Sequence, residues 1–108
     1  MPQLRFHGVK KEQIKKFSKD LVDELATLIG CPRDHFVLEA IGSNYIFDGE
    51  EIEGYPFIEF AWFDRGLEVQ DSAAQIVTKH IKSVGYHEVE VAFMVYETRK
   101  YYENGQHY

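Results

Sequence analysis

The sequence has one cysteine, Cys31, among 108 residues. No intrachain disulfide can form, and nothing in the thiol count points to secretion. Cations are scarce as well: 12 Lys and Arg against 18 Asp and Glu give a formal net charge of −6. That balance argues against a nucleic-acid partner, which needs a basic footprint. It leaves room for a small anionic substrate, because a local cationic pocket can sit within an acidic surface. No stretch is long and apolar enough to span a membrane. No apolar signal region opens the chain either, since Arg5, His7, Lys10 and Lys11 come too early. A cytoplasmic protein with no membrane partner is the expectation. The five histidines show no metal-ligand spacing such as HExxH, and no phosphate-cradling glycine loop occurs. No metal or other cofactor is expected.

What is present suits one globular domain over residues 1–108. Hydrophobic residues make up 44% and aromatics 15%, which excludes a disordered chain. "PQLRFHGV" alternates, with Leu4 and Phe6 on one face and Gln3, Arg5 and His7 on the other, as in a strand. In "KKEQIKKFSKDLVDELATLIG", Ile14, Phe17, Leu21, Leu25 and Leu28 recur at helical spacing, and Gly30 is placed to end the helix. "HFVLEAIG" reads as a second strand and "PFIEFAWF" as a third. A second helix follows in "DRGLEVQDSAAQIVTKHIKSVG", then a strand in "HEVEVAFMVYET". "SNYIFDGEEIEGY" reads as an irregular connection with a short strand at Tyr45 to Phe47. "YYENGQHY", with Asn104-Gly105, reads as a terminal hairpin over 99–108.

The order βαβ occurs twice. Pro2-x-Leu4-x-Phe6 recurs as Pro56-x-Ile58-x-Phe60, 54 residues on, and Gly30 recurs as Gly85. We read this as an internal duplication, with repeats over about 2–43 and 56–98. A crossover helix makes the strands of each unit parallel. The expected fold is an α+β two-layer sandwich: a four-stranded mixed sheet with both helices on one face. The other sheet face would mix Arg5, His7, Glu39, Glu59, Glu88 and Glu90 with Val37, Ile41, Phe57, Ala61 and Met94. Such a face suits a partly wet subunit interface; a plain open sheet kept soluble by its charges is the alternative.

A duplicated βαβ unit whose first residue after Met1 is proline resembles the tautomerase superfamily, which includes 4-oxalocrotonate tautomerase and macrophage migration inhibitory factor. The two-unit layout resembles the latter. "MPQLRFHGV" and "YYENGQHY" are most similar to a functionally uncharacterised, bacterial, tautomerase-like family. The resemblance spans essentially the whole chain and implies a homotrimer whose sheets surround a central channel. It also implies an isomerase: keto–enol proton transfer on a small 2-oxo acid or enol, with the nitrogen of Pro2 as base once Met1 is removed. The protonated amine must then be disfavoured, by an apolar pocket or nearby cations. Of the aromatics Phe36, Tyr45, Trp62, Phe93 and Tyr96, we rank Tyr96 and Trp62 highest as pocket walls, since each lies near a strand end.

Arg65 is the best-placed cation for the substrate carboxylate, with Arg33 second and Arg5 and Arg99 weaker. The sequence departs from the superfamily at Cys31, which aligns with the lysine that macrophage migration inhibitory factor places before its turn proline, and at Val37, which aligns with an arginine in the second strand of 4-oxalocrotonate tautomerase. A non-catalytic trimer serving as a binding module therefore stands beside the enzyme. Each residue also has a plain structural reading: Pro2 as a strand start, Arg33 and Arg65 as surface ion-pair partners, Tyr96 and Trp62 as core or interface residues.

Overall fold

The computed structural model describes residues 1–108. Strand β1 (Gln3–His7) leads into helix α1 (Lys11–Ile29), then a single 3₁₀ turn (Arg33–His35) and β2 (Val37–Ile41). A hairpin of β3 (Tyr45–Phe47) and β4 (Glu50–Ile52) follows. The pattern then repeats as β5 (Phe57–Trp62), α2 (Leu67–Ser83) and β6 (Glu90–Val95). After a 3₁₀ turn (Thr98–Lys100) comes a second hairpin, β7 (Tyr102–Glu103) and β8 (Gln106–His107).

The main sheet has the order β2-β1-β5-β6. β1 pairs in parallel with β2 and β5 with β6, while β1 and β5 meet antiparallel at the centre. The two halves use the same joint. The Val37 amide donates to the Pro2 carbonyl at 3.0 Å, and the Glu90 amide donates to the Pro56 carbonyl at 3.0 Å. A proline can open each strand because the N–H it lacks is not needed there.

Alternation along the strands sorts the two faces. Leu4, Phe6, Ile58, Phe60 and Trp62 point to the helices and are buried, joined by Phe17, Leu21 and Leu25 of α1 and Ala73, Val77 and Ile81 of α2. Each large side chain so buried contributes about 1.5–3 kcal/mol. Phe93 closes the β6 side against Phe60 and Trp62, at ring-centroid distances of 4.8 and 5.3 Å. The helices are also joined at their surface, where Glu24 of α1 accepts from Lys79 and pairs with His80 of α2. α1 ends as its sequence requires: Gly30 adopts φ 78° and its N–H donates to the Ala26 carbonyl.

In the connection after β2 the short strand expected at Tyr45–Phe47 is present as β3, but its pairing with β4 makes a hairpin of the stretch expected to be irregular. Asp48 (φ 57°) and Gly49 (φ 79°) form the turn of a true hairpin, the counterpart of Asn104 (φ 51°) and Gly105 (φ 82°). Asp-Gly serves this turn for the same reason as Asn-Gly, since both central residues need positive φ. Each βαβ unit therefore carries its own hairpin.

The opposite sheet face is open. It holds a short polar chain: Tyr96 Oη donates to Gln3 Oε1 at 3.2 Å, Arg5 donates to the same oxygen at 3.0 Å, and Arg5 lies 3.6 Å from Glu39. Among these lie the exposed apolar side chains Val37 and Met94. Ile46, Phe47 and Ile52 of the first hairpin are exposed too. No helix is long and apolar enough to cross a membrane.

Candidate active site

Because β1 and β5 are antiparallel, Pro2 and Pro56 lie at opposite ends of the sheet. The Pro2 end is built from the start of β1, the end of β5, the end of β6 and the residues just before α2. Pro2 itself is buried. The Met1 amine beside it is held below its ordinary value. Burial is the main cause and the Arg65 guanidinium adds to it, against the opposing pull of Cys31 and Glu103. The Cys31 thiol is pushed up, again mainly by burial, while Arg65 works the other way. Met1, Cys31 and Arg65 thus share one neighbourhood, and Glu103 of β7 reaches the same amine. An amine in this position is biased toward its neutral, proton-accepting form.

Arg65 is exposed and has no carboxylate partner within ion-pair distance. Its guanidinium donates only to the Phe63 carbonyl, at 3.3 Å. Its backbone is set by the turn into α2, where Asp64 accepts from the Gly66 amide at 2.8 Å. Tyr96 extends β6 by one further bond, its amide donating to the Trp62 carbonyl at 2.7 Å. Its ring joins an aromatic group with Phe63 and Tyr101, at 5.7 and 5.0 Å, and Tyr108 stacks on Phe63 at 5.5 Å. The second hairpin is thereby folded over this end of the sheet.

Two of the expected site residues are placed elsewhere. Trp62 is 1% exposed and lies in the helix-side core, so it forms no wall that a substrate could touch. Its Nε1 is buried without a hydrogen-bond partner. Arg33 turns back to α1, donating to Asp23 at 2.6 Å and to the Lys19 carbonyl at 3.3 Å. Pro2, Arg65 and Tyr96 do meet at one end. Cys31, Glu103 and Tyr101 belong to that neighbourhood as well, though nothing in the local sequence of the terminal hairpin points to Pro2, a hundred residues earlier.

The family model described as Domain of unknown function (DUF1904) matches residues 1–107. The chain belongs to the DUF1904 family. A DUF1904 domain from Sebaldella termitidis is 37% identical over the whole of both chains, with a TM-score of 0.93. The macrophage migration inhibitory factor-like protein of Entamoeba histolytica is 16% identical, covering 99% of this chain and 98% of its own, with a TM-score of 0.72. A fused 4-OT, solved as an asymmetric trimer, is 17% identical over 97% of this chain and 94% of its own, with a TM-score of 0.73. The DUF1904 chain therefore has the tautomerase-superfamily fold, two helices on a mixed four-stranded sheet. No curated protein matches its sequence.

Proposed function

We propose that this DUF1904 protein is a tautomerase that uses the secondary amine of Pro2, freed by removal of Met1, as its base. The observation that carries this is the surroundings of buried Pro2, where the Met1 amine one residue earlier is disfavoured as a cation by burial and by Arg65. In the reaction the neutral Pro2 nitrogen takes the proton beside the carbonyl of a small 2-oxo acid. It then returns the proton to the other end of the enol system. Arg65, free of any carboxylate partner, holds the substrate carboxylate through its planar fork. The Tyr96 hydroxyl stands at the same sheet end; by turning from Gln3, to which it donates in the free chain, it donates to the carbonyl oxygen as negative charge develops there.

A homotrimer accompanies this reading. The Pro2 end of the open sheet face carries Val37 and Met94, 36% and 44% exposed, beside the ion-paired Arg5 and Glu39. That mixture suits a partly wet contact between copies, and the fused 4-OT is a trimer. One observation favours a second reading, a non-catalytic binding module. Arg33 is bound to Asp23, so a single chain brings only Arg65 to Pro2.

The deciding experiment is ketonisation of phenylenolpyruvate to phenylpyruvate by protein lacking Met1. Activity in the wild type that disappears in Pro2→Ala is expected. Equal activity in both rejects Pro2 as the base. Stabilisation by 2-oxo acids without turnover, lost in Arg65→Ala, identifies the binding module instead.

A further inference from the structure

The Pro56 end of the sheet is the structural counterpart of the Pro2 end, but Pro56 is locked in a peptide bond and cannot serve as a base. This end holds a different set of groups. His7, on the open face at the end of β1, places Nε2 2.6 Å from Glu59 Oε2 on β5. Its other ring nitrogen, Nδ1, lies 3.3 Å from Ser43 Oγ in the loop after β2. An ionised carboxylate can only accept, so the pairing with Glu59 puts the imidazole proton on Nε2. Nδ1 is then the lone-pair nitrogen, and it faces the serine hydroxyl. Carboxylate, imidazole and hydroxyl stand in the order needed for an activated nucleophile, an arrangement recognised by geometry and roles rather than chain order.

The surroundings suit a substrate. His7, Ser43 and Glu59 line an open cleft of about 450 Å³ with Tyr45, Tyr55 and Phe57. A second cleft of about 560 Å³ lies under the first hairpin, and Ser43, Asn44 and Tyr45 line both. Ser43 is exposed and stands at the junction of the two. A group on either side of a bond attacked there has space of its own. The aromatic walls favour a flat ring on one side. The Asn44 amide, next in the chain, is a donor of the kind that stabilises a developing oxyanion.

We propose that Ser43, His7 and Glu59 form a second active site, independent of Pro2, that hydrolyses small aryl esters. The Ser43 proton passes to His7 Nδ1 as Oγ bonds to the ester carbonyl carbon. The tetrahedral adduct collapses, the carbon–oxygen bond to the aryl group breaks, and the leaving phenoxide takes the proton from His7. Water then attacks the acyl-serine, giving one proton to Nδ1, which returns it to Ser43 Oγ as the carboxylic acid departs. Glu59 is a positioning residue: it fixes the imidazole tautomer and stabilises the imidazolium. The other charged groups near this pair on the open face are Arg5, Glu39 and Glu90, of which Arg5 and Glu39 pair with each other.

The test is covalent labelling of the full chain with an alkyl fluorophosphonate, the labelled residue located by peptide mass mapping, with p-nitrophenyl acetate hydrolysis followed in parallel. One adduct on Ser43 is expected, absent in Ser43→Ala, together with loss of most ester hydrolysis. Glu59→Gln, which keeps the side chain's size, should slow labelling of Ser43 about tenfold or more and displace the pH profile of hydrolysis. An adduct found only on lysine, tyrosine or the N-terminal peptide overturns the proposal. So does Ser43 labelling at the same rate and with the same pH profile in Glu59→Gln. Hydrolysis undiminished in a folded Ser43→Ala chain overturns it as well.

Discussion

Arg5 and Glu59 face each other across the antiparallel β1–β5 pair, and they are also equivalent positions of the two repeats, 54 residues apart. A local two-fold axis therefore passes between them. It explains why the two prolines begin identical joints yet occupy opposite ends of the sheet. Identical backbone scaffolds thus present two sets of side chains: Pro2 with Arg65 and Tyr96 at one end, and Ser43, His7 and Glu59 at the other.

The first prediction concerns Arg65. If it holds a substrate carboxylate, Arg65→Ala should raise KM for a 2-oxo acid roughly ten- to hundredfold, the scale of a lost charged hydrogen bond. Steady-state kinetics on the wild type and the variant measure this. An unchanged KM would remove Arg65 from the site.

The second concerns the backbone at the end of β1. Gly8 has φ 74°, and a Cβ there would lie 2.2 Å from the Tyr55 carbonyl oxygen. Gly30 has φ 78° with nothing nearby. Gly30→Ala should cost about 1–2 kcal/mol from the left-handed conformation alone. Gly8→Ala should cost a further ~1–3 kcal/mol, because backbone must shift. Denaturant midpoints of the two variants compare them directly.

The third concerns the core. Phe60 is fully buried and packs against both Trp62, at 5.5 Å, and Phe93. Phe60→Ala should destabilise the fold by about 3–5 kcal/mol, read from urea unfolding.

The fourth concerns acid. Hydrogen bonding from Lys79, then from His80, holds the Glu24 carboxyl below its usual range, and Lys19 with Arg33 does the same for Asp23. These carboxylates favour the fold above their unfolded value, about 4. That contribution is lost as pH falls through their lower folded values. Stability should therefore decline below about pH 4, and Glu24→Gln should flatten the decline. The effect is modest, since both groups meet solvent.

The fifth concerns assembly. Val37→Glu and Met94→Glu each put a carboxylate in place of an apolar side chain on the open sheet face, which already carries Glu39, Glu59 and Glu90, and a contact between copies would bury that charge unpaired. Sedimentation should show three chains in the wild type and smaller species in the variants.

Much of the fold was legible in the sequence because strand alternation, helical periodicity and the two helix-ending glycines all report burial or backbone conformation locally. The first hairpin was harder. Its strands are three residues long, Ile46, Phe47 and Ile52 stay exposed, and no buried face imposes a pattern. The sequence showed its first strand, Tyr45–Phe47, but not the partner strand Glu50–Ile52. The burial of Trp62 was legible in principle, because it continues the Ile58 and Phe60 alternation into the core, but its position at the strand end suggested a pocket wall. The site groups are another matter. His7 meets Ser43 and Glu59 from 36 and 52 residues away, and Glu103 reaches Met1 from the far end of the chain. Contacts of that kind follow from sheet order, which no local pattern reports.

Everything assigned to Pro2 depends on the bond at its nitrogen. The most direct measurement is the intact mass of the protein made in its own host at ordinary expression. A mass lower by one methionine residue, with Pro2 first in the N-terminal peptide, is what the account predicts. Quantitative retention of Met1 would leave Pro2 an amide, with no lone pair for a proton, and would contradict it.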